Sequence, residues 1–413
     1  MSERLVISGG DVFDGTGAPP ERTDVLVEGG HIVAIGSGLD ADERIDATGM
    51  TVMPGLIDCH VHVTMSELDS WKSRLAPFSL PFYEAIRNMQ VTLEAGVTTV
   101  RDAMGADYGM KRAQETGLIG GPRLLIAIQL LGQTGGHGDC YLPSGHDSPL
   151  RTPYPGFPHG VVDGVDQARK VVRELVRSRA DWIKVASTGG VLSDTNMNQR
   201  QLRDDELVEI VTEAGAAGLS VMAHAATASG IKAAVRSGVR SIEHGIILDD
   251  EAIELMLEHG VWLVPTLVAP HAVLAAAAEG AISLPPGAID KARQAVEFHA
   301  ESFRRAVDAG VQVAMGTDSG VAVHGRNPEE LAAMVAAGMS PWAALRAATG
   351  GAADMLGLER DIGYVRAGNV ADLVLVRQLA PDLTDFAAEV SAVLQGGRVV
   401  YRGARHAATA EVS

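Results

Sequence analysis

The sequence predicts an α/β protein, a (β/α)8 TIM barrel carrying a small β-sandwich domain built from both chain termini. Three observations lead there. Eight short apolar, β-rich runs recur through the middle of the chain, separated mostly by stretches of helical periodicity. Strand patterns punctuated by glycine crowd both ends, and neither end is long enough to bury a sheet alone. The eight units occupy about 300 residues of a 413-residue chain, the size of one such barrel with an appendage.

The first 55 residues supply LVISGGDVF, VLVEGGHIVAIG and MTVMPG, separated by Gly, Pro and Asp. The last fifty supply ADLVLV (371–376) and AVLQGGRVVYRG (392–403). LVISGGDVF and AVLQGGRVV share one phrase, a strand, a Gly-Gly turn and a second strand, and both read as β-hairpins. The expected division is therefore 1–55 plus 362–413 for the composite sandwich and 56–361 for the barrel.

The runs of the middle are LIDCHVH (56–62), VTTVRD (97–102), RLLIAIQLL (123–131), WIKVAS (182–187), SVMAHA (220–225), SIEHG (241–245), WLVPTL (262–267) and VQVAMGTD (311–318). Between them lie segments such as GVDQARKVVRELVRSRA, with apolar residues at i, i+3, i+4 and i+7. Alternating strand and helix implies parallel strands with right-handed crossovers, and an active site at the C-terminal strand ends. A doubly wound open sheet is the weaker alternative, because no GxGxxG follows the first run. Two connections are long. Residues 132–163, rich in Gly and Pro, follow the third run and would sit over the barrel mouth. Residues 268–287 follow the seventh and read as partly helical.

Composition narrows the function. Lys plus Arg number 34 against 52 Asp plus Glu, a net charge of −18, which argues against a nucleic-acid or anionic-membrane partner. Two cysteines, Cys59 and Cys140, exclude a disulfide scaffold and a four-cysteine zinc site. No apolar run reaches the ~18 residues of a membrane span, and the N-terminal stretch lacks the pattern of a signal peptide, so a cytoplasmic protein is expected.

Polar residues at the strand ends carry the chemistry. His60 and His62 close the first run, and two residues apart they share a face. His224, His244 and Asp318 close the fifth, sixth and eighth. Four neutral imidazoles and a carboxylate converging on one mouth make a divalent transition-metal site, zinc before other metals. Lys184, inside the fourth run, is the odd member. Read alone it is a strand lysine snorkelling to solvent. Desolvated, it would supply some neutral amine able to react with carbon dioxide. Asp58 alternates onto the face of His60 and His62, one layer deeper, and is a candidate partner for the ligands.

The ordered set H-x-H, Lys, His, His, Asp resembles the amidohydrolase superfamily in its binuclear form. MPGLIDCHVH resembles that superfamily's entry to the barrel. EAGVTTVRD, GPRLLIAIQLLGQTGGHGD, DWIKVASTGGVLSD, SIEHG, MGTDSG and GNVADLVLV resemble its imidazolonepropionase-like and Xaa-Pro dipeptidase-like branch, over nearly the whole chain. The resemblance implies two divalent metal ions, zinc with manganese as the alternative. His60, His62 and Asp318 would hold the more buried ion, His224 and His244 the second, and carbamylated Lys184 would bridge them. It implies a hydroxide between the ions as nucleophile and Asp318 as general base, then general acid. His137 and His324 would contact substrate. The expected partners are a small-molecule amide, an N-acyl amino acid or dipeptide, and further copies of the chain in a homo-oligomer. One departure stands out. Relatives often place an aromatic or His two residues after the strand-five histidine to grip a substrate carboxylate, where this chain has Ala226. Arg151 and Arg326 are candidate substitutes. The departure keeps a cyclic amide, a carbamate or a substituted urea open as substrate. From another class, a barrel that binds metal or ligand without catalysis is the alternative.

Overall fold

The computed structural model describes residues 4–66, 68–139, 153–280, 284 and 287–403. Arg151, Cys140, His146 and His406 lie outside these, as does part of the 132–163 connection. The protein is a mixed α/β fold.

The N-terminal segment forms β1 (Arg4–Ser8), β2 (Asp11–Val12), β3 (Glu21–Arg22), β4 (Asp24–Glu28), β5 (His31–Gly36), β6 (Glu43–Asp46) and β7 (Thr51–Pro54). The middle contributes β8 (Leu56–Val61), β9 (Val97–Asp102), β10 (Arg123–Ile126), β11 (Leu130–Leu131), β12 (Trp182–Ala186), β13 (Ser220–Thr227), β14 (Ser241–Ile247) and β15 (Trp262–Val264). The C-terminal segment adds β16 (Leu373–Val376), β17 (Val390–Gln395) and β18 (Arg398–Arg402).

Two sheets hold the strands of the chain ends. One runs β5-β4-β1-β6; the other runs β18-β17-β16-β7-β2-β3 and joins strands from both ends. The second glycine pair behaves as its sequence suggests, since β17 and β18 pair antiparallel across Gly396-Gly397. The first does not. β1 pairs β4 and β6, whereas β2 pairs β3 and β7, so Gly9-Gly10 carries the chain from one sheet to the other. A Cβ on Gly10 would lie 2.9 Å from Val52 and 3.0 Å from Ala47, so the crossover is packed too tightly for a side chain. The actual N-terminal hairpin is β4–β5, turning at Gly29-Gly30.

The central strands are parallel, in the orders β10-β9-β8 and β11-β12-β13-β14-β15. β8, β9 and β12 are buried at every position, as parallel strands covered on both faces must be. The covering helices pack by one stripe. Ala168, Val171, Val172 and Leu175 of helix Val165–Arg177 face inward, while Arg169 and Arg173 reach Glu209 and Glu213 of the next helix. The eighth run forms no regular ladder. Residues 312–319 instead lie between β15 and β8 on single bonds: Leu263 N donates to Gln312 O (2.9 Å), Cys59 N to Met315 O (2.8 Å) and His62 N to Ser319 O (2.7 Å). The third run splits into β10 and β11 at Ala127–Gln129, where Ile128 takes a left-handed φ of 66°. After β15 the chain is helical over Val268–Ala278. Among the described residues, no helix is long and apolar enough to cross a membrane.

Candidate metal centre

The strand ends bring the predicted residues together. His60, His62 and Asp318 each offer a ligand atom within 4.8 Å of the others, so the three could hold a metal ion. His60 Nε2 lies 3.4 Å and His62 Nε2 3.2 Å from Asp318 Oδ1. Lys184 rises from β12 and places Nζ 3.5 Å from His60 Nε2. Ring centroids continue the cluster, at 5.0 Å from His60 to His244 and 4.6 Å from His244 to His224. Asp318 and His244 both sit at left-handed φ, 56° and 74°. Such backbone is sparsely populated by residues with a Cβ and concentrates at functional sites.

Each imidazole commits one nitrogen to an outer partner. His60 Nδ1 donates to Glu243 Oε2 (2.7 Å) and His62 Nδ1 to Met104 O (3.1 Å). His224 Nε2 donates to Gly189 O (3.1 Å), and His244 Nδ1 pairs with the Thr266 hydroxyl (2.7 Å). That leaves Nε2 of His60, His62 and His244, and Nδ1 of His224, as candidate ligand atoms. Ring nitrogens oriented by outer acceptors are the usual arrangement of metal-binding histidines. The donor set fits a divalent transition metal.

Burial sets the charge states. It pushes His60 down to about 4, helped by the Lys184 ammonium. It holds His224 and His244 well below the ordinary imidazole range, with their neighbouring rings adding to the effect. Neutral imidazole is the form that binds a cation. Burial also lowers Lys184 to about 8, against the pull of Glu243 and Asp318, so on the order of a tenth is neutral amine at pH 7. For Asp318, burial alone would raise the pKa, but His60 and His62 hold the carboxyl well below the usual range.

The sequence reading missed a buried ion pair behind His60. Burial opposes ionisation of Glu243, yet Arg101 and the bond to His60 bring it down to about 2. Arg101 is fully buried. It donates to both Glu243 oxygens (3.0 and 3.2 Å), to Ser241 Oγ (3.2 Å) and to Cys59 O (2.6 Å). Its guanidinium lies 4.5 Å over the Trp182 ring. Strict alternation would send Glu243 and His244 to opposite faces. The left-handed turn at His244 breaks that alternation. The available signal was a charged residue in each of two otherwise buried runs.

His137 stacks on His224 with ring centroids 4.2 Å apart, and its Nδ1 meets Ser193 Oγ at 2.8 Å. A Cβ on Gly190 would stand 2.3 Å from His137 Cε1, so the loop after β12 approaches this ring as only glycine can. His324 donates from Nε2 to Met65 O (3.0 Å), tying the loop after residue 318 to the loop after β8. Arg326 pairs with Glu329 (2.6 Å) at the surface, and His271 is exposed. His299, of helix Ala288–Ala309, is buried, and its Nε2 donates to the carbonyl of His244 (2.8 Å).

The model of the amidohydrolase family matches residues 51–400. This chain belongs to that family. It is 32% identical over 393 residues to the ochratoxinase of Aspergillus niger, covering 90% of this chain and 81% of the relative. Among solved structures it resembles a Xaa-Pro dipeptidase with bound methionine in the active site, at 31% identity and a TM-score of 0.88, covering 97% of this chain and all of the other. A prolidase complexed with N-methylphosphonate-L-proline matches at 36% identity and a TM-score of 0.87, with the same coverage.

Proposed function

We propose that this amidohydrolase is a binuclear metal-dependent enzyme that hydrolyses the amide bond of an N-acyl amino acid or dipeptide. Its catalytic unit would be a (β/α)8 barrel over 56–361, with 1–55 and 362–413 forming the composite β unit. The observation that carries the reading is the set of four imidazoles, each with one nitrogen tied outward and the other left as a candidate ligand. The relatives named for dipeptides and for methionine and proline ligands support the substrate class.

His60, His62 and Asp318 would hold one divalent ion, zinc or manganese, and His224 and His244 the second. Lys184 would lie between them as a carbamate. Its lowered pKa supplies neutral amine, whose nitrogen adds to carbon dioxide and loses a proton. Bound divalent ions polarise a carbonyl and lower the pKa of water. Asp318 takes a proton from the attacking water and delivers it to the leaving amine nitrogen. His137, stacked over His224, would hydrogen-bond the substrate's carboxylate or the developing oxyanion. His324, spent on Met65 O, supports the mouth loops more directly than it supports a substrate contact.

A panel of dipeptides and N-acyl amino acids tests the reading. Hydrolysis should be lost on chelation and restored by zinc or manganese. Asp318→Asn should cost about 10²–10⁴-fold in kcat, the usual worth of a positioned acid–base group. Two bound metals with no hydrolysis of any amide would overturn it. Ala226 is fully buried and offers no side-chain hydrogen bond, which favours a second reading as a cyclic amide, carbamate or urea hydrolase. The same panel should include those classes.

A further inference from the structure

Asp58 is fully buried on β8, two residues before His60. Its carboxylate accepts four hydrogen bonds. Oδ1 takes His60 N (3.1 Å) and Thr317 N (3.2 Å), and Oδ2 takes Thr317 Oγ1 (2.6 Å) and Asn327 Nδ2 (2.8 Å). The bonds continue on the far side of Asp318. Ser319 N donates to Thr317 Oγ1 (3.0 Å), the Thr317 and Ser319 hydroxyls meet at 2.7 Å, and Asn327 Nδ2 also donates to Ser319 Oγ (3.0 Å). Asn327 is itself oriented by Gly325 N, which donates to its Oδ1 (3.0 Å). The residues before and after Asp318 are therefore both held by one buried carboxylate–amide pair.

The segment they hold has no ladder of its own. Asp318 N donates to His60 O (2.8 Å), and Asp318 sits at φ 56°, where a residue with a Cβ rarely rests unaided. A regular strand would fix a terminal carboxylate through its backbone. Here side chains add to the few backbone bonds that join the segment to β8.

We propose that Asp58 and Asn327 are positioning residues for Asp318, clamping Thr317 and Ser319 so that its carboxylate faces His60 and His62. The proposal rests on Asp318 moving the proton, and its test separates the two. Asp58→Asn sets two amides against each other, and Asn327→Asp sets two carboxylates. Each single variant should lower kcat about 10- to 100-fold, the cost of a roughly 1 Å misplacement, with retention of the ion beside His60 and His62 weakened alongside it and KM changed little. The exchange Asp58→Asn/Asn327→Asp restores one carboxylate and one amide, and should recover kcat to within about fivefold of wild type. Crystal structures of the same proteins supply a readout independent of activity. The Asp318 carboxylate should shift in the single variants and return in the exchange. If the wild type hydrolyses no amide, the proton role of Asp318 fails, and the carboxylate position still decides the clamp. Should Asp58→Asn not fold, Asn327→Ser carries the single-variant test with the same expected loss. Single variants with wild-type kcat and an unmoved Asp318, or an exchange no better than the worse single, would overturn the proposal.

Discussion

His60 on one side and the His224/His244 pair on the other are supported by different chemistry, while His62 shares the neutral kind through Met104 O. His60 leans on an ionised Glu243, itself neutralised by the fully buried Arg101, and its backbone leans on Asp58. His224 and His244 lean on neutral oxygens, the Gly189 carbonyl and the Thr266 hydroxyl. Charge-assisted hydrogen bonds are roughly twice as strong as neutral ones, but they leave an expensive orphan when one partner is removed. The support of His60 is thus built into the buried interior of the parallel strands β8, β9 and β14. That of His224 and His244 is built from loop and strand-end groups. One half should fail with the fold; the other should fail with the ligand.

Arg101→Met gives the largest contrast. It removes the cation that keeps Glu243 ionised and strands a buried carboxylate between His60 and Lys184. Breaking such a pair costs about 3–5 kcal/mol. Urea denaturation at neutral pH should show a loss of that size, with metal retention falling as the fold weakens. A loss below about 1 kcal/mol would mean that Glu243 simply takes up a proton, and the contrast between the halves would collapse.

Much of this contrast was hidden from sequence, for identifiable reasons. The metal-ligand candidates were legible because polar residues at the ends of apolar runs are costly unless they bind something. The parallel strands and their helices were legible from periodicity. The second Gly-Gly hairpin was legible, but the first was not, because a glycine pair that turns a hairpin and one that slips between sheets read alike. Arg101 and Glu243 were passed over because each sits beside a more conspicuous residue. The left-handed φ of His244, invisible in a one-dimensional pattern, lets His244 join the site beside a Glu243 that already faces His60. The same limit applies at 311–318, where a strand-like run bends at Asp318 and is held by Asp58 and Asn327 together with a few backbone bonds.

Thr266→Val sharpens the comparison from the neutral side. Valine keeps the shape and removes the oxygen that His244 Nδ1 meets. Losing an outer partner of a metal-binding histidine typically costs 10- to 100-fold in metal affinity. With two ions bound as proposed, competition against a chelator should show one weakened by about that factor and the other unchanged, with unfolding stability lowered by about 1–3 kcal/mol at most. Loss of both sites together would show that the halves are one cooperative unit.

The smallest expected effect is in the pH dependence of His299, which supports the His244 carbonyl. Burial lowers its pKa to about 4 from an ordinary value near 6.5. The unfolded chain therefore binds this proton first as pH falls. The neutral ring contributes fully to stability above pH ~6.5, and that contribution is lost as pH drops toward ~4. His299→Gln retains a donor and cannot titrate. The stability difference between wild type and His299→Gln should shrink or reverse on going from pH 7 to pH 5, by about 1–2 kcal/mol. Because the other histidines are common to both proteins, their titration largely cancels in that difference. A difference independent of pH would place the His244 carbonyl under the control of the strand alone, and the second half of the site would then share the rigidity of the first.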